Sequence, residues 1–103
     1  MERISLEFPA GQQARRRALA GVVGSGDLEV LLEPHTAGTT TVSITSSVAG
    51  MRRVWEALLG RVFSSAELPA ARIDINDFGA TPGVVRLRIE QALEAVKVVD
   101  GER

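Results

Sequence analysis

The side chain with the clearest potential for chemistry is Ser25, which stands in the sequence Gly24-Ser25-Gly26-Asp27 between two apolar runs. Neither neighbouring glycine has a Cβ that could shield the hydroxyl, so we expect Ser25 to be exposed and available as a covalent attachment point. The same four residues are also ordinary turn chemistry. Local sequence therefore leaves open both an attachment site and a simple turn.

Other kinds of catalytic or ligand site find little support in this sequence. The chain has no cysteine and a single histidine, His35, which we interpret as a solvated loop residue. One histidine does not build an ordinary zinc site, and Ser25 lacks both a nearby base and the strand-to-helix elbow of serine hydrolases. No helix follows the glycines around Ser25, which argues against a dinucleotide-binding loop. Asp74 and Asp77 could pair as acid and base, but a strand face for Asp74 and a turn for Asp77 explain them, and we take this structural role as the default.

Three adjacent arginines, Arg15 to Arg17, form the densest charge cluster in the sequence. Guanidinium groups bind phosphates with two parallel hydrogen bonds, so this cluster could contact a phosphorylated group or an enzyme that delivers one. The pattern itself favours a solvated linker.

Composition limits the class of protein. A chain of 103 residues, 45% apolar and 24% charged, predicts one soluble domain spanning residues 1–103. The net charge of −1 gives no reason to expect a nucleic-acid partner. No apolar run approaches the ~20 residues that span a bilayer, and the N-terminal residues alternate like a strand. We therefore expect a cytoplasmic protein without direct membrane insertion.

Alternating apolar residues predict five strands. The first covers Arg3 to Phe8, the fourth Thr40 to Ser46 and the fifth Arg72 to Asp77. The second and third form a hairpin around Ser25, with either Gly24-Ser25 in a type II′ turn or Ser25-Gly26 in a type I′ turn. Both registers place Leu19, Val23, Leu28 and Val30 on one apolar face of the hairpin.

Two amphipathic helices complete the pattern. The first is expected from a Ser46 or Ser47 cap to about Phe63, with Met51, Val54, Trp55, Leu58 and Val62 on its buried stripe. The second starts at Thr81-Pro82 and ends near Val99. The order β-β-β-β-α-β-α predicts an α+β fold, a two-layer mixed sheet with both helices on one face. The crossover through the first helix would make its flanking strands parallel.

Three segments carry a resemblance to a known family. They are Phe8-Pro9-Ala10-Gly11, the stretch from Val23 to Pro34 around Ser25, and the stretch from Asp74 to Arg88. Over nearly its whole length the chain resembles the acyl carrier (delta) subunit of malonate decarboxylase, and more distantly the acyl carrier (gamma) subunit of citrate lyase.

The resemblance implies a carrier that is not itself an enzyme. Ser25 would bear 2′-(5″-phosphoribosyl)-3′-dephospho-coenzyme A through a phosphodiester, with Gly24, Gly26 and Asp27 presenting the serine. The thiol of this group would carry acetyl and malonyl while malonate is converted to acetate and CO2. Implied partners are a holo-carrier synthase, a malonyl transacylase, and the transferase and decarboxylase subunits.

Without the resemblance, the main alternative is a small α+β protein-interaction or regulatory module that has no prosthetic group. Binding of single-stranded RNA to the open sheet face is disfavoured, because the predicted outward positions offer no aromatic side chain for base stacking. Those positions are Arg3, Ser5, Glu7, Glu29, Asp74 and Asn76.

Overall fold

A computed structural model describes residues 2–36, 38–64 and 68–96 of the chain. Within these ranges the elements are β1 Glu2–Pro9, β2 Ala18–Gly21, β3 Leu28–Pro34, β4 Thr39–Ser46, α1 Arg52–Ser64, β5 Ala71–Asp77 and α2 Pro82–Val96. The predicted α+β fold and the predicted order of elements are confirmed. The predicted end of the last helix near Val99 lies outside the described residues. Neither of the described helices has the length and apolarity needed to span a bilayer.

The strands form one sheet in the order β1-β4-β5-β3-β2. β4 and β5 are parallel and every other neighbouring pair is antiparallel, so the predicted mixed sheet and the crossover through α1 are confirmed. Alternate residues of the strands are apolar and buried against the helices, among them Ile4, Val30, Ile44 and Ile75. The opposite face carries the polar positions that the sequence predicts.

The register of the β2–β3 hairpin differs from both predicted registers. Gly21 pairs with Glu29 and Leu19 pairs with Leu31, which lies midway between the two alternatives. A shift of one residue moves every side chain of a strand to the other face. Leu19 and Val23 are therefore each 63% exposed, and the alanines of β2 face the core instead.

Helix α1 begins later than predicted, at Arg52, and neither Ser46 nor Ser47 caps it. Ser46 is fully buried and donates a hydrogen bond to Asp77. Glu2 of β1 approaches the start of the helix instead, and one of its carboxylate oxygens accepts a hydrogen bond from the Gly50 amide at 3.0 Å. The same oxygen accepts the Met51 amide at 3.4 Å, so Glu2 binds the two backbone N–H groups that immediately precede the helix.

The buried face of α1 also departs from the prediction at two positions: Val54 was placed on the stripe and is exposed, and Leu59 was left off it and is buried. Trp55, Leu59 and Val62 are buried, as is Phe63, whose ring meets that of Phe8 edge to face at 4.9 Å. Val54, which was assigned to the buried stripe, is 45% exposed. The core line of the helix therefore follows Trp55, Leu59 and Val62, at intervals of four and three residues.

Helix α2 follows the prediction closely. Thr81 accepts a hydrogen bond from the Val84 amide through its hydroxyl, and Pro82 is the first helical residue. The buried residues are Val85, Ile89, Ala92 and Val96, so the apolar stripe of α2 lies on the sheet.

Candidate attachment site

Ser25 lies at the tip of a six-residue connection between β2 and β3, which we call the serine loop, residues 22–27. Its last four residues form a turn in which the Asp27 amide donates to the Gly24 carbonyl oxygen at 3.1 Å. Gly26 has φ of +77° and Ser25 has no positive φ, which is the pattern of a type II turn with glycine at its third position. The turn therefore belongs to neither predicted type.

The Ser25 side chain is exposed, as the sequence predicts. Its hydroxyl makes no hydrogen bond to any group in the described part of the chain. Gly24 and Gly26 flank it without side chains, and a Cβ built on Gly26 would have no atom within 4 Å. The hydroxyl is therefore uncommitted and open to an incoming molecule.

Backbone hydrogen bonds tie one side of the serine loop to the end of β5. The Gly26 amide donates to the Phe78 carbonyl oxygen at 2.9 Å, and the Phe78 amide donates to the Asp27 carbonyl oxygen at 3.0 Å. These bonds continue the β3–β5 ladder by one step past Leu28 and Asp77. The position of Ser25 is thus set by the sheet as well as by its own turn.

Asp27 anchors the same side of the loop through its carboxylate. Arg88 of α2 donates from Nε to Oδ1 at 3.1 Å and from Nη2 to Oδ2 at 2.9 Å. Oδ1 also accepts the Leu28 amide at 2.7 Å. A two-pronged pair of this kind fixes direction as well as distance. Asp27, a predicted presentation residue, is therefore in a position to hold the loop.

The same contacts lower the pKa of Asp27 below its ordinary value. The hydrogen bond from Arg88 is the main cause and the Leu28 amide is the second, because both favour the charged carboxylate. The pair in turn raises the pKa of Arg88. Asp27 is thus ionised at neutral pH, and its pairing with Arg88 is lost only in acid.

Gly21 makes the approach of Arg88 possible. It has φ of +81°, and a Cβ built on it would overlap the Leu28 carbonyl oxygen and lie 3.3 Å from Cδ of Arg88. The stem of Arg88 therefore crosses directly over Gly21 on its way to Asp27. Only glycine combines this backbone conformation with so close a contact.

Arg88 is the residue whose role sequence patterns did not predict. It lies on α2 between the buried Val85 and Ile89, at the edge of the apolar stripe. A charged side chain beside a buried stripe requires a partner, and that was the available signal. The partner is 61 residues away in the chain, so local pattern did not identify it.

The arginine cluster lies at the other end of the hairpin. Arg17 pairs with Glu33 at 3.3 Å, whereas Arg15 and Arg16 are exposed just before β2. About 13 Å of extended chain separates Arg17 from Gly21, at ~3.3 Å per residue. The structure therefore does not bring this cluster together with Ser25.

The remaining candidates have structural settings. Asp77 is buried, and it accepts the Ser46 hydroxyl at 2.8 Å and the Ala80 amide at 2.9 Å, which supports the turn before α2. Asp74 lies on the open face, 3.7 Å from Arg72. His35 is half-buried, and the residues that the structure describes contain no cluster of groups able to hold a metal ion.

Comparison with known proteins decides the family. A family model described as malonate decarboxylase delta subunit (MdcD) matches residues 15–96, which include the serine loop and all of α2. The chain belongs to this family. Members are acyl carriers, so the chain is a carrier subunit rather than a catalytic one.

Curated relatives of this carrier family match almost end to end. The malonate decarboxylase acyl carrier protein of Azotobacter vinelandii is 61% identical over 99 residues, covering 96% of this chain and 100% of that protein. The corresponding protein of Pseudomonas fluorescens is 58% identical over 96 residues, covering 93% of this chain and 97% of that one.

A solved structure matches at the level of the fold. It is the crystal structure of a Pseudomonas malonate decarboxylase hetero-tetramer in complex with malonate. The matching chain is 56% identical with a TM-score of 0.91, covering 94% of this carrier and 100% of that chain.

Proposed function

We propose that this carrier bears a coenzyme A-derived prosthetic group on Ser25 and uses it to carry acetyl and malonyl groups while malonate is converted to acetate and CO2. The observation on which the proposal depends is the uncommitted Ser25 hydroxyl, exposed at the tip of the serine loop between two glycines. Membership in a carrier family supports the same conclusion, because a carrier needs a point of attachment for its acyl group.

The chemistry of attachment fits a serine side chain. Ser25 Oγ would attack phosphorus of a phosphoanhydride-activated donor and form a phosphodiester, while the anhydride bond breaks, a phosphate leaving group departs and the hydroxyl proton is lost to a base. In the described chain no side-chain base hydrogen-bonds to Ser25, so we assign that proton transfer to the holo-carrier synthase. The proposed group is 2′-(5″-phosphoribosyl)-3′-dephospho-coenzyme A.

The prosthetic group would supply a terminal thiol, which can hold acyl groups as thioesters. The chain has no cysteine of its own, so a thiol must come from outside the polypeptide. Attachment to an exposed loop tip leaves the arm free to swing between partner active sites. Such tethering raises the local concentration of a carried group to the order of millimolar.

We assign the residues around Ser25 to presentation. Gly24 and Gly26 leave both sides of the hydroxyl clear, and Asp27 holds the end of the loop against α2. Catalysis belongs to partners: a malonyl transacylase, a transferase subunit and decarboxylase subunits. The matching solved chain comes from a malonate decarboxylase hetero-tetramer, which is consistent with several partner subunits.

The alternative interpretation as a regulatory module without a prosthetic group has no observation in its favour that a carrier does not also explain. Several described polar groups of the open sheet face pair with one another, as in the contacts of Glu33 with Arg17 and Arg72. We therefore do not propose a binding function for that face.

The test is intact-mass measurement after incubation of the purified full-length chain with the holo-carrier synthase and its activated donor. We expect the native chain to gain the mass of the prosthetic group and Ser25→Ala to gain nothing. Ser47→Ala is the matched control, because Ser47 is also an exposed serine and its amide binds Asp77 at the same end of the sheet. A full mass gain by Ser25→Ala would refute the assignment.

A further inference from the structure

The serine loop is anchored unevenly. Its end, at Gly26 and Asp27, is bonded to the backbone of Phe78. Within the described ranges, Val22 and Val23 at its beginning make no such backbone bond, and their side chains are 60% and 63% exposed. Among the residues that the structure describes, the Gly24 carbonyl oxygen accepts a hydrogen bond from the Asp27 amide alone. The order of the first half therefore depends on what fixes Asp27 and what covers the start of the loop.

One side chain does both. Arg88 grips the Asp27 carboxylate at the end of the loop, and its stem lies over Gly21, the residue that immediately precedes the loop. Its remaining nitrogen, Nη1, donates to Oε1 of Gln91 at 3.1 Å, which orients the guanidinium plane from within α2. Arg88 thus contacts both ends of the serine loop and connects them to α2.

We propose that Arg88 is a positioning residue for the modification of Ser25: by holding Asp27 with two hydrogen bonds and covering Gly21, it fixes the serine loop in the form that the holo-carrier synthase recognises. The inference rests on the proposed function of Ser25. Arg88 neither touches the reacting hydroxyl nor takes part in the phosphoryl transfer. Its effect is on the fraction of molecules whose hydroxyl is correctly oriented for attack.

The Arg88–Asp27 pair lies near the surface, so its expected effect is on the order of the serine loop and not on the stability of the whole fold. The Arg88 and Asp27 side chains are 27% and 17% exposed, at the edge of the molecule rather than in its core. Partly exposed ion pairs contribute little to global stability, yet a two-pronged pair can still order a loop locally. We therefore expect loss of the pair to slow modification of Ser25 strongly while the melting temperature changes little.

The experiment compares initial rates of mass gain for the full-length chain with the synthase and its activated donor. Arg88→Gln and Asp27→Asn should each lower kcat/KM roughly tenfold or more. Arg86→Gln is the matched control, since Arg86 lies on the same helix and pairs with Glu90 at 3.2 Å in solvent. It should retain the native rate. Amide exchange at Gly26 and Asp27 should accelerate in Arg88→Gln and not in Arg86→Gln.

A double variant distinguishes positioning from direct contact with the synthase. If the two residues act as one unit, Arg88→Gln with Asp27→Asn should be no slower than the slower single variant. A fold-decrease in kcat/KM equal to the product of the two single decreases would mean that Arg88 acts independently of Asp27, and it would overturn the proposal. So would an Arg88→Gln rate equal to that of the Arg86→Gln control.

Arg88→Lys covers the case in which the glutamine variant fails to fold. Lysine keeps the charge and an aliphatic stem but presents one nitrogen, which does not reproduce the two-pronged contact. We expect slowed modification, and a native rate would contradict the role of the fork. If the native chain itself gains no mass at Ser25, the proposed function fails and this inference fails with it. Native modification with unaffected Arg88 variants refutes the inference alone.

Discussion

Replacement of Gly21 by alanine tests how the serine loop begins. Gly21 ends β2 with φ of +81° and lies against the Leu28 carbonyl, so a Cβ there meets both an unfavourable backbone conformation and a steric overlap. Gly26, inside the serine loop, provides a matched control. Its φ of +77° is nearly the same, but a Cβ there would meet nothing within 4 Å.

The comparison gives a magnitude. An L-residue in the left-handed region costs about 1–2 kcal/mol, which both variants share. The gain of about 0.4–1 kcal/mol from a stiffer unfolded chain is also common to both and cancels. Gly21→Ala adds overpacking against fixed backbone, typically about 1–3 kcal/mol. Gly21→Ala should therefore be the less stable variant by about 1–3 kcal/mol.

Thermal and urea unfolding of the two variants beside the native chain measure this difference. In a domain of this size each 1 kcal/mol corresponds to about 4–8 °C in Tm, so Gly21→Ala should melt at least about 4 °C below Gly26→Ala. The new Cβ would also lie 3.3 Å from Cδ of Arg88, so the Arg88 stem should shift by a few tenths of an ångström. Equal stabilities would refute the close approach of Gly21 to Leu28.

Three further outcomes follow from the packing and the charges. Ser46→Ala should cost about 1–3 kcal/mol in chemical unfolding, because it removes a donor to the buried carboxylate at the end of β5; a neutral effect would contradict this. Leu59→Ala should cost about 2–5 kcal/mol because Leu59 is fully buried, and exposed Val54→Ala should cost under about 0.5 kcal/mol. The reverse order would mean that Val54 faces the core, as the sequence predicted. An NMR titration should find the pKa of Asp27 below its usual 3.8 in the native chain and higher in Arg88→Gln. The pairing should therefore stabilise the chain above that usual value and weaken as the pH falls through the lowered pKa. An unchanged titration would show that Arg88 does not control the carboxylate.

Much of the fold could be predicted from short-range pattern. Strict alternation in β1, β4 and β5 defines their buried faces, and the Thr81-Pro82 start with the stripe from Val85 to Val96 defines α2. Each of these elements buries a single face, so the spacing of its apolar residues is enough to identify the side that packs against the core. The parallel pairing of β4 and β5 follows from the length of the crossover.

The hairpin register could not be predicted in the same way. Both candidate turns have two residues and differ by an even shift, so both give Leu19 the same face. The actual six-residue connection inserts an odd shift, which places Leu19 opposite Leu31 on the outer face. At the start of this connection Gly21 has a positive φ and lies against the Leu28 carbonyl, and both are properties of the folded backbone.

In the candidate site, too, the features set by local sequence could be predicted and those set by long-range contacts could not. Exposure of Ser25 follows from its flanking glycines and is observed. The part played by Arg88 depends on a contact between residues 61 positions apart, which requires the packing of α2 against β2 and β3. Similarly, Glu2 rather than a serine approaches the start of α1, and Ser46 binds Asp77, both through contacts between residues distant in the chain.

The most direct test of the account is the intact mass, with peptide mapping, of the chain isolated from its native host during growth on malonate. We predict a chain heavier by the phosphoribosyl-dephospho-coenzyme A group, with all of the added mass on the peptide that contains Ser25. A chain of unmodified mass, or a modification mapped to any other residue, would contradict the proposal that this hydroxyl is where the carrier holds its cargo.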